Sequence, residues 1–192
     1  VVRTDYEAIN SAFNGANIVS IVIETYVNDA LTDPALTEEI DNLQDCLRQQ
    51  PEVGAAVSYV DHLKLINRNL NDGDPKQYRV PDSATAIKQL LIFGGSDEIR
   101  RVIDSRFRTA LIAVRINVDG SIPISDFVQR AEERLHKMTP PLNGRVTGSP
   151  VLATRTVNEI ASGQLSSLLI ASTAIWAMLA LMFTSARSAL LA

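Results

Sequence analysis

Few side chains in this 192-residue chain have the types and spacing that catalysis or metal binding requires. The two histidines, His62 and His136, each follow an acidic helical context, and neither has a second ligand at metal-binding spacing. Cys46 is the single cysteine, so it has no internal disulfide partner, and we expect a small, partly buried apolar residue there. The strings HExxH, CxxC, GxxxxGKS, GxxxxGKT and GxSxG are absent. We therefore predict no enzyme activity, no metal site and no cofactor.

The acidic residues and the net charge argue against two further classes of function. The pairs Glu38-Glu39 and Glu132-Glu133 fall opposite apolar helical stripes, where ordinary solvation explains them, so we assign them no catalytic role. The formal net charge of −4 has the wrong sign for electrostatic binding of the phosphates of a nucleic acid. Nucleic acid is therefore not an expected partner.

Charge is distributed unevenly along the chain. Residues 160–186 are 27 consecutive residues without a charge, whereas residues 1–159 hold 17 basic and 22 acidic side chains. This contrast predicts an acidic, water-compatible domain over residues 1–148 and a connecting helix over residues 149–163. A transmembrane helix over residues 164–186 and the start of a further segment at residues 187–192 complete the predicted organisation.

The uncharged region contains a segment that fits a lipid bilayer. Residues 165–183 read LSSLLIASTAIWAMLALMF, and a helix of that length covers about 29 Å, which matches the hydrocarbon thickness of a membrane. The alternative, a core helix of a soluble protein, is disfavoured because so small a domain has little mass to cover it. Arg187, the only positive charge beyond the span, favours a cytoplasmic C-terminal end. Residues 1–163 would then lie on the periplasmic or extracellular side of the cytoplasmic (inner) membrane.

The acidic domain begins with a strand–helix–strand pattern. Residues 16–25 are rich in β-branched side chains and place Val19, Ile21 and Ile23 on one face, which predicts a strand. Asp33 and Pro34 then provide an N-cap and a first-turn proline for a helix that Pro51 stops. Residues 53–60 are predicted to form the second strand. The apolar stripe of the helix is Leu36, Ile40, Leu43 and Leu47.

The same pattern recurs ninety-one residues later. Residues 107–118 predict a strand, Ser125 is expected to cap a helix, Pro140 and Pro141 to end it, and residues 144–147 to form a short closing strand. The apolar stripe of this helix is Phe127, Val128, Ala131, Leu135 and Met138. Two such units in tandem predict an α+β fold, the ferredoxin-like split βαβ, with four strands in one sheet and two helices on one face.

A helical insertion over residues 61–106 separates the two units. It contains predicted helices over residues 61–70 and 83–93, then Gly94-Gly95 as a helix break, and Ser96 as the cap of a helix with Asp97 and Glu98 in its first turn. Before the break stand four large apolar residues, Leu90, Leu91, Ile92 and Phe93. They are either a packing wedge, which is the favoured interpretation, or a surface that contacts an apolar substrate. We retain them as candidate substrate-contact residues.

The order of these features resembles a family of membrane transporters. It consists of an initial helix over residues 4–13, the strand over residues 17–24, Asp33-Pro34, and the stretches 57–64 and 147–152 before Gly163-Gln164 opens the span. This order is similar to the first porter domain and second transmembrane helix of resistance-nodulation-division (RND) transporters, in the branch of predicted lipid and hydrophobe exporters. The resemblance covers nearly the whole chain and rests on pattern.

The resemblance implies a fragment of a proton-driven exporter that handles a hydrophobic or lipid-like substrate outside the membrane. The implied partners are the bilayer, the remaining transmembrane helices and a second porter domain, with a homo-oligomer possible in addition. Proton-relay carboxylates are expected elsewhere, because residues 160–186 contain no ionisable group. A tail-anchored ferredoxin-like module that binds a ligand or partner is the alternative. An acylphosphatase-type hydrolase ranks last, because residues 28–33 offer neither Arg nor a glycine-rich loop.

Overall fold

The computed structural model of the chain describes residues 8, 10, 12–94, 97 and 99–182. The chain divides into two units, Val1–Leu152 and Ala153–Ala192. Of the predicted initial helix, residues 8, 10, 12 and 13 are described, and all four are helical.

A four-stranded antiparallel sheet is the frame of the first unit. Its strands are β1 (Asn17–Glu24), β2 (Val53–Val57), β3 (Thr109–Ile116) and β4 (Asn143–Thr147), in the spatial order β2-β3-β1-β4. Every neighbouring pair is antiparallel, and Ile21 in β1 lies opposite Ile112 on one side and Val146 on the other. These strands and their helices confirm the predicted α+β class.

One face of the sheet is buried because apolar side chains alternate along the strands. Val19, Ile21 and Ile23 are fully buried in β1, as the alternation predicts. Burying one large aliphatic side chain contributes about 1.5–3 kcal/mol, so this face supplies much of the stability of the unit. The other strands and the two long helices contribute Ala56, Ala110, Ile112, Val114, Ile116, Val146, Ile40, Leu47, Phe127 and Ala131 to the same core.

Helix α1 (Pro34–Arg48) begins and packs as predicted. The Asp33 carboxylate accepts hydrogen bonds from the backbone N–H groups of Ala35 and Leu36, at 2.8 and 3.4 Å. This side chain therefore satisfies donors that the first turn of a helix leaves unpaired. The predicted stripe faces inward, with Ile40, Leu43 and Leu47 buried and Leu36 packed beside them.

Helix α2 (Tyr59–Leu70) starts earlier than predicted, and β2 is correspondingly shorter than the predicted 53–60. The Ser58 hydroxyl accepts a hydrogen bond from the N–H of Val60 at 3.1 Å, and the Asp61 carboxylate accepts one from the N–H of Ser58 at 3.1 Å. This capping box starts a helix at Tyr59. Tyr59 and Val60 are therefore the first residues of a helix, not the last residues of a strand, and both are buried.

The rest of the insertion forms two helices, α3 (Ala84–Phe93) and α4 (Ile99–Val102). Gly94 ends α3, as predicted, and its N–H donates to the carbonyl of Leu90 at 2.8 Å. The expectation that Asp97 lies in the first turn of the next helix is wrong, because α4 begins only at Ile99. Gly95, Ser96 and Glu98 lie outside the described residues.

Helix α5 (Ser121–Leu135) differs from its prediction at both ends. Gly120 precedes its first residue, so Ser125 is inside the helix and is not its cap. Pro123 is tolerated there because the N–H groups of a first turn have no intrahelical partner. The helix ends at Leu135, before Pro140 and Pro141, because the N–H of Met138 bonds to the carbonyl of Leu135 in a tighter turn. Its apolar stripe is buried as predicted, except for the partly buried Met138 beyond its end.

The last described element is α6 (Ser149–Met182), a helix of 34 residues. It covers both the predicted connecting helix and all of the predicted span up to residue 182. Phe183 and Arg187 lie outside the described residues.

Candidate functional site

A pocket of about 510 Å³ lies beside the insertion, where the chain leaves β1 and enters β3. Its walls come from the loop after β1, from α3 and α4, and from the turn before β3. A volume of this size is typical of sites for small organic ligands. The lining residues are Leu91, Ile92, Ile99, Ile103 and Phe107, which are apolar, and Asp29, Lys88, Arg100, Asp104 and Ser105, which are polar.

The pocket separates the four residues predicted to contact substrate. Leu91 and Ile92 line it, whereas Leu90 packs half-buried against the core. Phe93 is 86% exposed and does not line the pocket. Consecutive residues on a helix point about 100° apart, so a run of four cannot face one cavity. The apolar run is therefore divided between two roles: Leu90 packs against the core, and Leu91 and Ile92 form part of the pocket wall.

Two lining residues have a left-handed backbone conformation. Asp29 has φ 60° and Phe107 has φ 51°, which is uncommon for a bulky aromatic residue. Two backbone hydrogen bonds tie these segments together: the N–H of Asp29 donates to the carbonyl of Arg106 at 2.9 Å, and the N–H of Leu31 donates to the carbonyl of Phe107 at 3.0 Å. The loop after β1 therefore holds the Phe107 ring in the pocket wall.

Lys88 connects the helical wall of the pocket to the loop after β1. Its Nζ lies 2.8 Å from Oδ2 of Asp29, and both side chains are close to half exposed. The same Nζ lies 5.9 Å from the centre of the Phe107 ring, within cation–π range. The charge of Lys88 is therefore already compensated by protein groups.

The Asp104 carboxylate is likewise already hydrogen-bonded, to backbone groups of its own turn. Its Oδ1 accepts hydrogen bonds from the backbone N–H groups of Arg108 and Thr109, at 2.7 and 2.9 Å. Burial opposes ionisation of this carboxyl, but the donated hydrogen bonds and the nearby Arg108 outweigh burial, and the pKa of Asp104 is lowered. Asp104 is therefore an anion that shapes the turn before β3.

Arg100 differs from the other charged lining residues. Its side chain is exposed, and among the residues that the structure describes it has no hydrogen-bond or ion-pair partner. Of the two cations in the lining, Lys88 and Arg100, it is therefore the one that no described group pairs.

The sequence analysis missed Lys88, Arg100 and Phe107. A usable signal was present, since residues 99–108 contain four arginines and one acidic residue in a chain that is acidic overall. Nothing local in the sequence, however, indicates that this basic segment closes a cavity against α3 and the loop after β1.

The other residues considered for chemistry lie apart from this pocket. His62 is half-buried in α2, and His136 is exposed at the end of α5 with its Nδ1 2.7 Å from the carbonyl oxygen of Glu132. Cys46 is a partly buried thiol in α1. The Glu39 carboxylate accepts a hydrogen bond from the N–H of Thr139 at 2.7 Å, which is a structural role. Within the described ranges, no group of three or more His, Cys, Asp or Glu side chains could hold a metal ion.

Helix α6 is long and apolar enough to cross a membrane. Large apolar side chains along it, among them Leu168, Ile170 and Met178, are each more than 60% exposed. Two of its hydroxyls bond within the helix, Thr173 to the carbonyl of Leu169 at 2.7 Å and Ser167 to that of Gly163 at 2.9 Å. Such internal pairing removes the main obstacle to placing hydroxyls in hydrocarbon.

Comparison with known proteins adds no family to these observations. No protein-family model matches the chain, and no curated protein matches it either.

Proposed function

We propose that this chain is the substrate-handling part of an RND-type membrane exporter: a porter-like domain outside the cytoplasmic membrane, followed by a transmembrane helix. The domain would handle a hydrophobic or amphiphilic molecule. The observation that carries the proposal is α6, an apolar helix long enough to span a bilayer that begins two residues after β4 of an α+β domain.

The strand order supports the finer part of this proposal, a ferredoxin-like split βαβ fold. Helix α1 joins β1 to β2 across β3, and α5 joins β3 to β4 across β1. The two strands of each strand–helix–strand unit are therefore separated in the sheet by one strand of the other unit. Two interleaved units of this kind are what the ninety-one-residue repeat of the sequence predicts.

The pocket supports a role in handling an apolar molecule. Half of its lining side chains are aliphatic or aromatic, including Leu91 and Ile92 from the predicted contact run. Apolar walls with a few polar groups are typical of sites for small organic ligands.

The proposed mechanism is alternating access. Porter domains would move relative to one another and to the membrane helices, driven by proton binding elsewhere in the transporter. Residues 160–182 contain no ionisable side chain, so the proton relay would belong to other transmembrane helices, and a second porter domain would complete the substrate path. In this scheme residues 149–162 of α6 couple the movements of the domain to the membrane.

A flexible insertion tests this coupling. In the full-length protein, a Gly-Ser stretch inserted after Gly163 should abolish export while membrane assembly continues, because a helix transmits movement only if it is continuous. The matched control places the same stretch after Gly73, in an exposed turn where an added Cβ atom would meet nothing within 4 Å. Unchanged export after the Gly163 insertion refutes the coupling role.

A tail-anchored binding module is the second candidate. It is favoured by the fact that the described residues contain one candidate membrane helix, since a single helix encloses no channel. The reading frame on both sides of the chain separates the candidates. Further apolar segments before Val1 and after Ala192 support the exporter, and a stop codon directly after Ala192 supports the anchor.

A further inference from the structure

We propose that the pocket lined by α3, α4 and the turn before β3 binds a single-chain anionic amphiphile, with the anionic head at Arg100 and the alkyl chain along Ile92, Ile103 and Phe107. This inference rests on the proposed function for its biological meaning, and it names the chemistry of the molecule that the domain handles.

The charges of the lining residues select an anionic head. Asp29 and Lys88 form an ion pair at 2.8 Å. Asp104 accepts hydrogen bonds from two backbone N–H groups, and its negative charge is paired with Nε of Arg108 at 3.8 Å. Arg100 is left with an uncompensated positive charge among the described residues. A guanidinium forms charge-assisted, bidentate hydrogen bonds with a carboxylate, so an anionic head fits this residue better than a neutral or cationic one.

The apolar wall selects an extended hydrocarbon chain. Ile103 and Phe107 are buried side chains that form its inner part, and Ile92 is 57% exposed at its outer part. A bound alkyl chain would cover the exposed surface of Ile92 and remove it from water. Each methylene group of the chain that is buried in this contact makes the binding free energy more favourable. An amphiphile satisfies both parts of the lining, whereas a small inorganic anion satisfies only Arg100.

Methyl NMR spectroscopy of the whole chain tests the proposal directly. The chain, labelled at its isoleucine δ1 methyl groups and held in nanodiscs of zwitterionic lipid, is titrated with octanoate at pH 7. Saturable shifts are expected at Ile92, Ile99 and Ile103, but not at Ile40, which does not line the pocket, with a Kd of about 1 mM for a ligand of this size. Titration with 1-octanol tests the need for the charge, and titration with butanoate tests the need for the chain.

Two pairs of variants locate the contacts. Arg100→Gln should weaken octanoate binding about tenfold and leave octanol binding unchanged, because only octanoate carries the charge. Arg101→Gln is the matched control, because Arg101 is the next residue along the chain and does not line the pocket. Ile92→Ser should weaken both ligands, whereas Phe93→Ser, at an exposed position outside the lining, should weaken neither.

Three results would each overturn the proposal: no saturable shift at the pocket isoleucines, octanol binding as tightly as octanoate, or equal losses in R100Q and R101Q. The proposed function is tested separately by export measurements on the full-length protein. Octanoate binding without export would leave the pocket assignment standing and overturn the exporter. Export without octanoate binding at this pocket would overturn the inference alone.

Discussion

Asp61 connects the start of α2 to α1 through three hydrogen bonds, so its removal should destabilise the fold strongly. Its Oδ2 accepts hydrogen bonds from the backbone N–H of Ser58 at 3.1 Å and from Nε2 of Gln44 at 2.8 Å. Its Oδ1 accepts from Nη2 of Arg48 at 2.8 Å. The Asp61→Ala substitution removes both acceptor oxygens and, with them, all three hydrogen bonds.

The size of the loss follows from the environment of each donor. Loss of the Asp61 half of the capping box, which leaves the N–H of Ser58 without its acceptor, costs about 1 kcal/mol. Gln44 is fully buried and its Oε1 already lacks a partner, so leaving its Nε2 unpaired costs a further 1–3 kcal/mol or so. Arg48 keeps its hydrogen bonds to the carbonyl of Ala56, and its partly exposed pair with Asp61 contributes less than about 1 kcal/mol. The free energy of unfolding should therefore fall by about 3 kcal/mol.

Urea unfolding of the chain in nanodiscs measures this loss. Pulsed alkylation of Cys46, the single thiol, reports exposure of α1 as the domain unfolds. With a slope of about 2 kcal/mol per molar urea, the midpoint should fall by about 1.5 M. Asp45→Ala is the matched control, because Asp45 also bonds to Arg48, at 3.0 Å, but its side chain is 55% exposed. Its midpoint should change little.

Equal midpoint shifts for Asp61→Ala and Asp45→Ala would argue against a stabilising role for the capping box and for the bond to Gln44. They would mean that the bond to Arg48, shared by both carboxylates, accounts for the effect. The cap and the buried amide would then contribute nothing measurable.

Three further predictions concern other parts of the chain. Gly54→Ala should lower the free energy of unfolding by about 2 kcal/mol in the same urea assay, because an added Cβ would overlap the carbonyl oxygen of Asn14. An unchanged urea midpoint would contradict this close approach. Because the pKa of Asp104 is lowered in the folded state, its ionisation stabilises the fold above about pH 4, and the benefit is lost as pH falls through the lowered value. The urea midpoint of the wild type should therefore exceed that of Asp104→Asn at pH 7, and the difference should shrink at pH 3; a constant difference would argue against a role for the charge. Ala174→Lys should reduce membrane insertion by about 2.5–3.5 kcal/mol, measured as the membrane-bound fraction, whereas Ala153→Lys, outside the predicted span, should insert normally.

The parts of the fold that the sequence predicts well are those with local signals. The alternation of Val19, Ile21 and Ile23 determines which face of β1 is buried, and the Asp33 cap sets the start of α1. Competing local signals caused the errors. The apolar pair Tyr59-Val60 has the pattern of a strand end, but the cap between Ser58 and Asp61 makes it the start of a helix.

The pocket could be predicted only in part. The apolar run before Gly94 indicates Leu91 and Ile92 as candidate contact residues. The other residues that line the cavity come from distant positions in the sequence. Asp29 and Lys88, an ion pair in its wall, are 59 residues apart. The backbone bond between Leu31 and Phe107 sets the position of the aromatic ring, and no local pattern encodes it.

Spin-label accessibility tests whether residues 165–183 lie in lipid. In a Cys46→Ser background, single spin labels are attached at Thr173→Cys, in the middle of the span, and at Ser149→Cys, at the start of α6. In liposomes, the label at position 173 should be accessible to oxygen and shielded from a water-soluble nickel chelate, and the label at position 149 should show the opposite preference. A label at position 173 that the nickel chelate reaches as readily as the one at position 149, or that neither reagent reaches, would mean that residues 165–183 do not lie in lipid.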